Sequence, residues 1–334
     1  MGAAVTSHRG DEAARAVRIL IAPDSFKGTY SADEVADAIA RGAESAGHRA
    51  TRMPVADGGE GTLAALTGPL GLETIRADAV NPWRAPCRAV FGLGADGTAV
   101  VELAAASGIT TPHDGPRDAV TADTYGTGML MAEAARRGAR HIVVAAGGSA
   151  TTDGGLGAIA AIDDAGGLGD TRVTVLTDVT TRYTDAARVF GPQKGADSAT
   201  VELLTRRLED AAVSLPRDPR PIAGTGAAGG FSGGMWARFD AELRSGADFV
   251  LDSVGFDAAV RSADLVVVGE GRLDGQSRAG KIVSAVIARC DGVPVVAVVG
   301  SVGDDLGDYR SRFTDVVVAS DIDAMIRAGA ELRV

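Results

Sequence analysis

Ile19-Leu-Ile-Ala-Pro-Asp-Ser-Phe-Lys-Gly-Thr-Tyr-Ser-Ala-Asp-Glu-Val-Ala-Asp-Ala-Ile-Ala-Arg-Gly42 reads as a strand, a small polar turn and an amphipathic helix. The apolar run from Val17 to Ala22 is too short for a helix and rich in β-branched residues, which suits a strand buried on both faces. Pro23 ends it. A turn holding Asp24, Ser25, Lys27 and Gly28 follows, and Ser31 with Glu34 three residues on makes a capping box that starts the helix. Val35, Ala36, Ile39 and Ala40 then recur at helical spacing, and Gly42 is expected to close the helix. A buried strand feeding a helix through such a turn offers backbone N–H groups and a lysine to an anion.

Outward from that unit the chain keeps alternating strand-like and helix-like segments, so the expected fold class is α/β. Residues 49–55 form a second strand candidate that runs into Ala56-Asp-Gly-Gly-Glu-Gly-Thr62, a loop whose glycines let backbone approach a ligand. From 72 to 103 the texture changes to short β-type runs joined by turns, which suggests a separate, partly antiparallel inserted domain. Helical spacing returns at 127–137, then a strand, His141–Ala146. The turn Gly147-Gly-Ser-Ala-Thr-Thr-Asp-Gly-Gly155 follows, again placed to present N–H groups to an anion. A strand at Val173–Leu176 ends in Thr177-Asp178, a carboxylate at the strand end where open α/β sheets bind ligands. The last third reads as strand Asp264–Val268, turn Gly269-Glu-Gly-Arg-Leu-Asp274, a helix from Lys281, and strands at Val293–Val299 and Thr314–Ala319.

Composition narrows the function. The 334 residues carry a net charge of −11, which argues against nucleic acid or an anionic membrane as partner. Cys87 and Cys290 lie in no metal or disulfide pattern, no apolar run approaches a membrane span, and residues 1–16 read as a tail without a signal sequence. A cytoplasmic protein is expected. Gly224-x-Gly226-x-x-Gly229 lacks the strand that a dinucleotide fingerprint requires. Gly230-Phe-Ser-Gly-Gly234 has no histidine after it to complete a hydrolase triad, and Gly275-x4-Gly280-Lys281 has Ile282 where a P-loop needs Ser or Thr.

The lysines are more telling. Of 33 basic residues only Lys27, Lys194 and Lys281 are lysine, and each stands in or beside a glycine-rich turn. Compact ammonium groups in such turns, with the carboxylates Asp24, Asp57, Glu60, Asp178, Glu270 and Asp274, match phosphoryl transfer, where a protein mainly positions and neutralises charge.

Six blocks carry a resemblance: Ala-Pro-Asp-Ser-Phe-Lys-Gly-Thr (22–29), Ala-Asp-Gly-Gly-Glu-Gly-Thr (56–62), Gly-Gly-Ser-Ala-Thr (147–151), Val-Phe-Gly-Pro-Gln-Lys-Gly-Ala (189–196), Gly-Ala-Ala-Gly-Gly (226–230) and Gly-Glu-Gly-Arg-Leu-Asp (269–274). In this order they resemble the signature blocks of the type I glycerate kinase family. The resemblance implies Mg-ATP-dependent phosphorylation of D-glycerate, at the 2-hydroxyl, with another small hydroxy acid or a non-catalytic binding homologue as alternatives. It also implies a Rossmann-like parallel-sheet domain built from both chain ends (17–68 and 255–334), a second α/β domain with a mixed sheet inserted at 69–254, and an active site in the cleft between them. The chain departs from the family pattern at Thr152, Thr180 and Thr181. On this reading Asp178 is the first choice for general base or metal ligand, with Asp57 second, Lys27 beside them and Asp274 as a further metal ligand. Asp24, Ser25, Gly58, Gly59, Glu60, Gly148, Ser149, Lys194, Gly229, Gly230, Glu270, Arg272 and Lys281 are expected to bind substrate or phosphate. ATP and Mg²⁺ are the implied cofactors, and a homodimer is compatible with the family.

Overall fold

A computed structural model describes residues 16–275 and 282–333. The opening stretch forms β1 (Arg18–Pro23) and α1 (Ala32–Ser45), followed by β2 (Arg49–Arg52) and the short α2 (Thr62–Thr67). Both halves of the α1 capping box are present, Ser31 Oγ accepting from the Glu34 N–H and Glu34 accepting from the Ser31 N–H. Gly42 does not close the helix. It lies inside α1, where a Cβ would fall 1.9 Å from the Ile326 carbonyl oxygen, so its role is to let another helix cross closely. Helix-end signals in sequence cannot tell such a packing glycine from a terminator.

The middle of the chain contributes β3 (Leu72–Val80), β4 (Pro86–Gly94), β5 (Thr98–Glu102), α3 (Ala104–Ser107), α4 (Tyr125–Arg136), β6 (His141–Ala145), α5 (Leu156–Asp164), β7 (Arg172–Leu176), α6 (Ala186–Phe190), α7 (Ser198–Ser214), α8 (Phe231–Phe239) and β8 (Glu242–Arg244). The rest supplies α9 (Gly246–Ser253), α10 (Phe256–Val260), β9 (Leu265–Leu273), α11 (Ile282–Arg289), β10 (Val295–Val302), β11 (Asp315–Val318) and α12 (Ile322–Ala330). The segment expected to turn at residues 269–274 instead continues β9 to Leu273. The partner strand β10 is long enough to pair with it, Val298 opposite Gly269 and Val302 opposite Leu273.

Two sheets result. The first, ordered β11-β10-β9-β1-β2, is parallel throughout and drawn from both ends of the chain. The second, ordered β3-β4-β5-β6-β7-β8, is antiparallel from β3 to β5 and parallel from β5 to β8. Strand alternation sorts the core into layers. Ile19 and Ile21 pack with α1 and α12, whereas Leu20 and Ala22 face a cluster shared with Val100, Val143 and Leu176 of the second sheet. Ala99, Val101, Ile142 and Val144 turn the other way, toward α4, α5 and α8. Ala247, Val250 and Leu251 of α9 belong to the shared cluster.

Candidate functional site

Two adjoining cavities meet at one residue. The first, of about 450 Å³, lies at the carboxyl ends of β1, β9 and β10 and is lined by Asp24, Ser25, Lys27, Asp57, Glu270, Arg272, Asp274 and Ser301 among others. Strand order reverses between β1 and β9, since β1 leads outward to β2 and β9 to β10, and such a switch point opens a crevice beyond the strand ends. The second, of about 430 Å³, sits at the carboxyl ends of β6 and β7 and is lined by Asp57, Gly58, Gly59, Gly147, Gly148, Ser149, Asp178 and Lys194, with apolar walls from Ile109, Leu176, Val179 and Phe190. Asp57 lines both.

Glycines bring the 57–59 loop into this place. A Cβ on Gly147 would fall 2.6 Å from the Gly59 Cα, and one on Gly246 would fall 2.5 Å from the Asp57 carbonyl oxygen. The loop is therefore wedged between the turn after β6 and the start of α9, and no larger residue could take either seat.

Charge in the first cavity is crowded. Asp24 is buried, and loss of solvent with Asp57 nearby pushes its carboxyl up to about 7. The Lys27 side chain is 61% exposed and reaches Asp57 Oδ2 at 3.4 Å. Burial pulls its ammonium down, but Asp57 and Asp24 outweigh that and hold it above the ordinary lysine value. Arg272 pairs with Asp274 at 3.3 Å.

The second cavity is built differently. Asp178 accepts from the N–H groups of Gly246 (2.9 Å) and Ala247 (3.2 Å), so it sits on the first turn of α9. Burial still wins over those bonds and raises its carboxyl to about 6. Lys194 is buried, donates to the Thr151 carbonyl, and is lowered to about 8 by loss of solvent despite the opposing field of Asp153. Ser149 Oγ bonds Thr151 Oγ1 at 2.9 Å, which stiffens the turn beneath it.

Several expectations are corrected. The helix N-termini of the opening turn and of the 147–155 turn are already satisfied from within: Ser31 and Glu34 cap α1, and Asp153 accepts from Gly155 and Gly157 at the head of α5. Capping by the chain's own side chains occupies those helix-start N–H groups, while Gly147, Gly148 and Ser149 ahead of them still line the second cavity. Gly229 and Gly230 line neither cavity; a Cβ on Gly229 would fall 2.0 Å from the Thr151 carbonyl oxygen, so they serve close packing. Glu60 is exposed and outside both linings. Asp178 and Asp274 line different cavities, and among the described residues no group of three or more His, Cys, Asp or Glu side chains is placed to hold a metal ion. Lys281 lies outside the described residues.

Sequence reasoning missed some lining residues. Phe190 and Gln193 stand within the block 189–196, beside the lysine that is its one charged group suited to phosphate. Ser301 follows a glycine at the end of β10, a signal of the same kind as the other glycine turns at strand ends. Thr152, one of the departures from the family pattern, is buried and its hydroxyl has no partner among the described residues.

The chain is similar to known proteins of one family. The model of the "Glycerate kinase family" matches residues 19–165 and 163–328. A glycerate kinase of Bacillus subtilis (strain 168) is 36% identical, the alignment covering 92% of this chain and 89% of that one. A glycerate 2-kinase of Escherichia coli (strain K12) is 35% identical over 90% of each chain. A crystal structure described as that of a glycerate kinase 2 from Salmonella typhimurium LT2 superposes with a TM-score of 0.79 at 31% identity, covering 94% of this chain and 96% of that one.

Proposed function

This chain belongs to the glycerate kinase family, and on that premise we propose that it transfers the γ-phosphoryl group of ATP to the 2-hydroxyl of D-glycerate. The observation that supports the reading best is the single carboxylate, Asp57, shared by two adjoining cavities of different chemistry. The cavity with apolar walls and glycine turns suits a nucleotide, since a purine needs apolar surface and its phosphates need N–H groups and a cation such as Lys194. The polar cavity suits a small hydroxy acid: Lys27 and Arg272 face its carboxylate, and Asp24 and Glu270 its hydroxyls.

In the reaction the 2-hydroxyl oxygen forms a bond to the γ-phosphorus while the bond to the β,γ-bridging oxygen breaks and ADP leaves. The hydroxyl proton passes to Asp57, at the junction. We rank Asp57 ahead of Asp178 as base, because Asp57 lines both cavities whereas Asp178 lines only the one with apolar walls. Asp57 as base contributes on the order of 10²–10⁴-fold, and alignment of the two substrates contributes further.

Mg²⁺ fits this donor set in one way. An all-protein cage is lacking among the described residues, but Mg²⁺ is commonly held by one or two carboxylates together with substrate phosphates, and Asp178 is a hard oxygen donor in the nucleotide cavity. When bound there it supplies charge neutralisation to the phosphates. No helix among the described residues is long and apolar enough to cross a membrane, and a cytoplasmic location agrees with the use of ATP.

The test is to incubate the purified protein with Mg-ATP and a panel of hydroxy acids while following ADP, then to identify the product by phosphorus NMR. ADP release with D-glycerate and a 2-phosphoglycerate signal are expected. Turnover only with another acid, or binding without ADP for any acid, would rule the proposal out.

A further inference from the structure

Helix α2 starts at Gly61, which stands at φ 93° and has no side chain to cap the first turn. The acceptor comes from the other sheet. Glu102, the last residue of β5, takes the Leu63 N–H on Oε1 at 2.8 Å, across 39 positions of sequence. It is half-buried, and burial raises its carboxyl above the ordinary range while the N–H groups of Leu63 and Gly61 oppose that rise. A carboxylate at a helix's first turn also has the favourable sign for the N-terminal dipole.

The segment held in this way carries Asp57. Between Asp57 and α2 lie only Gly58, Gly59, Glu60 and Gly61, three of them glycines. One end of the loop rests on Gly147 and Gly246 by close contact. The other end is held by Glu102.

We propose that Glu102 is a positioning residue for phosphoryl transfer: by capping α2 from the second sheet, it fixes the loop that places Asp57 at the junction of the two cavities. The proposal rests on Asp57 being the base. Displacing a reacting group by about 1 Å can cost on the order of 10²-fold, so loss of the cap is read in kcat.

Two variants separate reach from charge. Glu102→Asp keeps the charge and loses a methylene of reach, whereas Glu102→Gln keeps the reach with a neutral acceptor. With folding of each checked by thermal melting, Glu102→Asp is expected to lower kcat by about 10- to 100-fold, with both KM values within about threefold. Glu102→Gln should retain at least about ten times the kcat of Glu102→Asp. Combined with Asp57→Asn, Glu102→Asp should add less than about twofold to the loss, because both act through one group.

Additive losses, an unchanged kcat in Glu102→Asp, a change in KM alone, or Glu102→Gln no better than Glu102→Asp would each overturn the proposal. A fully active Asp57→Asn would remove the base assignment itself and the proposal with it, which separates that failure from the others.

Discussion

At the scale of residues, burial sets the protonation states on which the chemistry depends. Asp178 near 6 must be ionised to hold a metal-bound phosphate, so activity should rise as pH passes upward through about 6. Lys194 near 8 must be protonated to neutralise phosphate, so activity should fall as pH passes above about 8. A bell-shaped kcat/KM profile with those limbs is expected, and activity still flat well above pH 8 would count against Lys194. The two lysines should also separate by substrate. Lys27→Ala is expected to raise KM for glycerate by roughly tenfold and leave that for ATP near its original value, with the reverse for Lys194→Ala. Initial rates with each substrate varied in turn measure both.

At the scale of elements, α1 shows how one residue can carry two readings. Its start follows local rules, since the capping box needs only residues three apart. Ser31→Ala should cost about 1 kcal/mol in chemical denaturation. Gly42 follows no local rule. Because α1 and α12 cross with Gly42 against Ile326 and Gly329 against Ile39, Gly42→Ala should lower stability by about 1–3 kcal/mol through overpacking. It should do so without changing KM, for the crossing lies on the face of the first sheet that packs Ile19 and Ile21. A denaturation midpoint equal to that of the unaltered protein would show that the helices can separate freely.

At the scale of the whole molecule, one core cluster joins the sheets. Leu20, Ala22 and Val268 of the first sheet share it with Val100, Val143 and Leu176 of the second, so unfolding should proceed in a single transition rather than sheet by sheet. Since both sheets contribute to the cavities around Asp57, a bound nucleotide should stabilise that whole unit. At a ligand concentration about 100 times Kd the gain is about 2.7 kcal/mol. Calorimetry with and without Mg-ATP tests this: one peak that moves upward is expected, and two peaks of which only one moves would contradict it.

The sequence by itself determined what local physics can dictate. The buried run at Ile19–Ala22, the capping box, the alternation of strands and helices and the change of texture after Leu72 were all legible, because period, capping and turn chemistry act over a few residues. Glycine turns at strand ends and the placement of the lysines also pointed to many of the residues that line the two cavities. Tertiary structure decided the rest. It showed that Gly229 and Gly230 pack backbone against backbone, that Asp153 and Glu34 already occupy helix starts read as anion sites, and that β9 runs on because β10 lies beside it. It also placed Asp57 at the meeting of two cavities and set Glu102 at the head of α2. The reason is the same in each case: these roles depend on which segments meet in space, and contacts spanning tens to hundreds of residues leave no local pattern in the chain.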